Sequence, residues 1–157
     1  MEILEHQSLE MHNVLSFRGK LTQQELAQKS KEIEKLLADC GAKRAAPTAT
    51  TTFSVEQGPQ GPVMDVEILL PLDKEIPVPA GYVWKPHFLL TNALMVRHIG
   101  NPGGMQSTVN ALNTYILENK LVPISTGYNV TVKEAKTPLE LDEMEVNIYV
   151  GISPNIL

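Results

Sequence analysis

The chain has 157 residues, 43% hydrophobic and 20% charged, enough to bury one sizeable core but not two independent ones. Its formal charge of −5 comes with scattered basic residues, so no cationic stripe is available to neutralise phosphates and direct nucleic-acid binding is not expected. The single cysteine, Cys40, excludes an internal disulfide framework and a cysteine-built zinc site, and no apolar run approaches the ~20 residues that span a bilayer.

In chain order, Met11 to Arg18 alternates apolar and polar residues at a period near two, which predicts a strand. Thr22 and Glu25 then have the T-x-x-E spacing of a capping box. Leu26, Ile33, Leu37 and Cys40 follow at helical spacing until Gly41 supplies a C-terminal stop. Thr48 to Val55 is β-branched and aromatic, Gln57 to Pro62 is rich in turn residues, and Val63 to Leu70 predicts another strand. Pro71 to Pro86 holds four prolines and predicts an irregular connector. Its Tyr82 and Trp84 must cover apolar surface, either plugging the end of the core or lining a groove. Phe88 to Arg97 predicts a strand, and Gly100 to Gly104 a loop that starts a helix. Met105, Val109, Leu112 and Ile116 form its stripe, and Gly127 to Val132 and Met144 to Ile152 predict the last two strands.

The two halves match. Asn13-Val14-Leu15-Ser16-Phe17-Arg18 aligns with Asn92-Ala93-Leu94-Met95-Val96-Arg97 at an offset of 79, and Met64 to Ile68 aligns with Met144 to Ile148 at an offset of 80. Two separated blocks at nearly one offset predict an internal repeat. The expected fold is therefore α+β: two tandem pseudo-symmetric β-α-β-β units, about 11–72 and 87–153 with a connector at 73–86, sharing an antiparallel sheet with both helices on one face. Alternation places Val66, Ile68, Leu70, Val146, Ile148 and Val150 beneath the helices. The opposite face receives Asp65, Glu67, Leu69, Glu145, Asn147 and Tyr149, which look too polar for core, so that face is expected to be solvated or the floor of a groove.

The segments Met95 to Pro102, Gly127-Tyr128-Asn129-Val130 and Glu145 to Ile152 resemble the gyrase-inhibitor-like (GyrI-like) domains, the effector-binding part of several bacterial transcription regulators. The resemblance runs from about Met11 to Ile152. It implies a single domain, expected to be a stand-alone member, with a ligand groove between two β-α-β-β units, while the lone cysteine and an N-terminus without a basic segment and apolar run fit residence in a reducing cytoplasm. It also marks a departure, because drug-binding members carry a glutamate two residues beyond a glycine where this chain has Asn129. An amide cannot offset the charge of a buried organic cation. Neutral ligands are therefore expected unless Glu67 or Glu145 supplies the charge.

Other chemistry finds little support. His6, His12, His87 and His98 form no zinc-binding motif. His98 sits beside a strand end, where a structural role outweighs haem ligation, so no metal or cofactor is expected. Cys40 lies on the apolar helix stripe, where a thiol behaves as a small hydrophobe. The expected function is binding of a small hydrophobic or aromatic molecule, with Tyr82, Trp84 and Phe88 stacking on it. Asn129, Asn147 and Tyr149 would hydrogen-bond, and Glu67 or Glu145 would carry any charge. The alternative is a protein-interaction role, as an adaptor or immunity-type protein; a third reading is a weak hydrolase pairing Glu145 or Glu67 with Tyr149 or Tyr128. The sequence offers no room for a helix-turn-helix before Met11 or after Ile152, and no membrane association is expected.

Overall fold

The computed structural model describes residues 2–155. The chain is α+β, in the order β1 (Ile3–Thr22), α1 (Gln23–Cys40), β2 (Ala49–Gly58), β3 (Gly61–Pro71), β4 (Tyr82–Ile99), α2 (Met105–Glu118), β5 (Tyr128–Lys133) and β6 (Glu145–Gly151). Contacts divide it into two compact units, Met11–Phe88 and Leu89–Leu157, the latter also taking in Met1–Glu10. None of the described helices is long and apolar enough to cross a membrane.

In the Met11–Phe88 unit, β3 pairs antiparallel with both β1 and β2. The predicted capping box forms: the Thr22 side chain accepts from the Glu25 N–H at 3.2 Å and the Glu25 carboxylate accepts from the Thr22 N–H at 3.0 Å. That satisfies two of the N–H groups that a helix start leaves without partners. At the other end Gly41 turns left-handed at φ 64°, and the Ala42 N–H reaches back to the Leu37 carbonyl at 2.9 Å. Ile33 and Leu37 of α1 pack on Leu15, Ile68 and Leu70, so the predicted stripe meets the predicted strand face. Asn13 takes φ 53°, its carbonyl accepts from the Leu72 N–H at 2.9 Å, and β2 carries a bulge between Thr52 and Ser54.

In the Leu89–Leu157 unit, β6 pairs antiparallel with β4 and β5. Leu112 and Ile116 of α2 pack on Leu94, Val96, Val146 and Ile148. A 3₁₀ turn, Pro102–Gly104, leads into α2, with the Asn101 side chain accepting from the Gly103 N–H at 2.8 Å. Asn92 takes φ 50°, its carbonyl accepts from the Ile152 N–H at 3.0 Å, the Leu121 N–H reaches back to the Ile116 carbonyl at 3.0 Å, and β5 has a bulge between Thr131 and Lys133.

Two expectations need correction. The stretch from Tyr82 to Pro86 is not irregular connector but the beginning of β4, a strand that continues through Phe88 and Asn92 to Ile99. Proline's fixed φ is compatible with an extended chain wherever its missing N–H is not needed, so Pro86 does not end the strand. Nor is the face opposite the helices solvated at its centre, since Glu67, Leu69 and Asn147 are buried. Burial of the two polar groups is tolerated because each is hydrogen-bonded, which alternation alone does not disclose. A second 3₁₀ turn, Pro138–Glu143, lies where no element was expected.

Candidate functional site

In the Met11–Phe88 unit the polar side chains gather around Glu67. Cross-strand partners point to the same side of a sheet, so the register Thr51↔Glu67, Ser16↔Leu69 and Arg18↔Glu67 sets Ser16, Arg18, Thr51, Glu67 and Leu69 on one face. The Ser16 hydroxyl donates to the Glu67 carboxylate at 2.6 Å, and the Lys85 ammonium donates to the same oxygen at 2.5 Å. The carboxylate therefore has its counter-charge within its own unit. Nearby, Arg18 pairs with Asp65 at 3.1 Å and lies 4.0 Å over the Phe53 ring. That guanidinium holds the Asp65 carboxyl below its ordinary range.

Tyr82 stands 5.5 Å from Phe17, with Lys29 4.5 Å over the Phe17 ring. Burial pushes the Tyr82 hydroxyl above its ordinary range. Trp84, like Tyr82, is partly buried against the α1 core cluster, and Phe88 is half-buried at the end of the unit.

In the Leu89–Leu157 unit the corresponding polar face is built differently. The register Arg97↔Asn147↔Val130 and Met95↔Tyr149↔Tyr128 puts Arg97, Asn147, Tyr149 and Tyr128 on one side of the sheet, with Glu145 further along β6. The Arg97 guanidinium donates to the Asn147 amide oxygen at 2.8 Å and meets no carboxylate among the described residues. Asn129 pairs with Ile148 and so stands on the helix-bearing side, away from Asn147 and Tyr149. Glu145 and Tyr149 are four residues apart on one strand, about 13 Å at the usual strand rise, beyond direct pairing. His98 is buried with both ring nitrogens engaged, Nδ1 with the Thr108 hydroxyl at 2.8 Å and Nε2 with the Asn101 carbonyl at 2.9 Å.

Sequence reasoning named Glu67 and Asn147 but missed their partners Ser16, Lys85 and Arg97. The signal was present in part: Ser16 and Arg97 sit within the repeated blocks, on the polar side of their alternation. Lys85 was hidden by the reading of its segment as connector.

No family model matches the sequence, and no curated protein matches it. Solved structures do match. The chain is similar to the EcmrR C-terminal domain, with a TM-score of 0.72, 13% identity, and coverage of 94% of this chain and 98% of that one. The fold is the GyrI-like fold. A hydrolase from Listeria innocua shares that GyrI-like architecture at a TM-score of 0.60 and 13% identity, over 97% of this chain and 91% of that one. So does SAV2435, solved bound to tetraphenylphosphonium, at a TM-score of 0.54 and 11% identity, over 98% and 93%. Against the EcmrR chain solved in a DNA complex, the GyrI-like fold of this chain spans 57% of the length.

Proposed function

We propose that this chain is a cytoplasmic small-molecule-binding module that prefers neutral, largely aromatic ligands over organic cations. The observation that carries the reading is the pairing of Glu67 with Lys85 and Ser16. A carboxylate that already holds an ammonium cannot also neutralise a buried cation without expelling it, and the expelled lysine would need a partner of its own. Asn147 stands in the second block where Glu67 stands in the first, and it too brings no charge. Ligand binding as such is supported by the likeness to SAV2435, whose bound tetraphenylphosphonium is a lipophilic cation. Asn147 and Tyr149 share one face of the Leu89–Leu157 unit and supply hydrogen bonds there, whereas Asn129 stands on the other face of that sheet and Tyr82 and Trp84 pack on the α1 cluster of their own unit.

We also infer that the two units are copies of one plan. In each, a left-handed asparagine accepts from the residue after the third strand of its set, the same backbone bond closes the helix, and a bulge falls at the same distance along the second strand.

The test is a pair of titrations with cationic rhodamine 6G and neutral Nile red, run at fixed salt on the wild type and on Lys85→Met. The wild type should favour the neutral dye, and Lys85→Met, which leaves Glu67 without its ammonium, should gain affinity for the cation. Tight binding of rhodamine 6G by the wild type, unchanged in the variant, would refute the charge argument. Absence of saturable binding of either dye would refute the small-molecule reading and favour a protein partner.

A further inference from the structure

The Leu89–Leu157 unit, with its N-terminal residues, holds a cleft of about 700 Å³, within the range of small-molecule sites. It lies among residues outside the polar face described above. Its apolar lining includes Leu121, Val122, Ile152 and Pro154, and its polar lining includes His6, Asn92 and Lys120.

Those three polar residues share an uncommon backbone. Four described non-glycine residues have positive φ, and three of them line this cleft: His6 at 57°, Asn92 at 50° and Lys120 at 54°. A side chain in the left-handed region is held there only when its surroundings fix it. Asn92 has a structural reason, since its amide donates to the Ile152 carbonyl at 3.0 Å and its Oδ1 lies 3.1 Å from His6 Nδ1. Lys120 makes no such side-chain bond among the described residues. It follows α2 where α1 is followed by Gly41, the residue that takes a left-handed turn without a Cβ penalty. A favourable interaction with the helix dipole would be available to a lysine anywhere in the last turn, so it does not explain a lysine at the left-handed position.

Glu5 also lines the cleft, near the Tyr115 hydroxyl, which burial and then the Glu5 carboxylate hold above its ordinary range. Lys120 meets no carboxylate among the described residues. We propose that this cleft is a second ligand site, which takes a small monocarboxylate with an apolar ring or chain: the carboxylate on the Lys120 ammonium, the apolar body against Leu121, Val122, Ile152 and Pro154. A single lysine suits one negative charge. It is a thin complement for a phosphate dianion, which is usually held by several donors.

The experiment is calorimetric titration of 2-naphthoate and, as its uncharged counterpart, 2-naphthamide against the full chain, with thermal melting of each variant. The wild type should bind naphthoate at least about tenfold more tightly than the amide. Lys120→Gly and Lys120→Gln should each lose about tenfold or more for naphthoate. Lys120→Gly should do so with an unchanged or higher melting temperature, which separates lost binding from lost folding. Lys85→Met should leave naphthoate affinity unchanged, so failure here and failure of the neutral-ligand reading are distinguishable. Equal affinity for acid and amide, full naphthoate affinity in both Lys120 variants, or no saturable naphthoate binding to the wild type would each overturn the proposal.

Discussion

Removing Lys85 tests the electrostatics of the Glu67 cluster through stability alone. The Glu67 side chain is 9% exposed and that of Lys85 34%, so the pair is neither a surface ion pair nor a fully buried one. Exposed pairs contribute about 0.2–1 kcal/mol, and breaking a fully buried one costs about 3–5 kcal/mol because it leaves an uncompensated charge. With Ser16 still donating at 2.6 Å, Lys85→Met should fall between these limits, at about 1.5–3 kcal/mol. For a chain of this length that lowers Tm by roughly 3–12 °C. The diagnostic quantity is the coupling. Glu67→Leu combined with Lys85→Met removes both charges, so the double variant should be more stable than the sum of the two single losses predicts, by about 1 kcal/mol or more. Urea unfolding of the wild type, both single variants and the double variant measures it. Additivity within about 0.3 kcal/mol would mean that the two charges do not depend on each other, and the account of why Glu67 is unavailable to a cation would fail with it.

Three other outcomes follow from the structure. Leu37→Ala and Leu112→Ala, both buried on the inner faces of α1 and α2, should each cost about 2–5 kcal/mol in urea unfolding, and losses below about 1 kcal/mol at both would contradict their core positions. Thr22→Ala should cost about 0.5–2 kcal/mol and lower the helical circular-dichroism signal, because it removes the side-chain acceptor for the Glu25 N–H. Asp65 is held by Arg18 below its ordinary value of 3.8, so the folded state binds that proton less readily than the unfolded chain does. Its contribution is therefore present above about pH 4 and lost as pH falls through the lower folded value. The Tm difference between the wild type and Asp65→Asn should shrink steadily below pH 4, and a difference independent of pH would show that the Arg18 contact contributes nothing.

Local structure was the part most open to reading from residues alone. The Thr22–Glu25 box, the Gly41 stop, the apolar stripes of both helices and the inward set Ile68, Leu70, Val146 and Ile148 depend on contacts within one turn of helix or on strict alternation along a strand. Such short-range rules hold whatever the rest of the chain does. The repeated asparagines were visible too, although only the backbone revealed that both are left-handed.

The rest depended on long-range neighbours. Alternation marked Glu67 and Asn147 as facing away from the helices, but whether that side was wet depended on Ser16, Lys85 and Arg97, each brought in from another strand. Proline content argued against a strand at Tyr82 to Pro86, and a position that spares proline's missing N–H cannot be identified before the strand's neighbours are known. Asn129 was grouped with Asn147 from a motif, and the β5 to β6 register set it on the opposite side, because a shift of one residue exchanges the two faces of a strand. The sequence by itself thus determined which residues turn, cap and face inward, since those choices are made within a few residues. Only the tertiary structure decided which charges are already paired, because a counter-ion is defined by distance in space and Lys85 lies eighteen residues from the acid it neutralises.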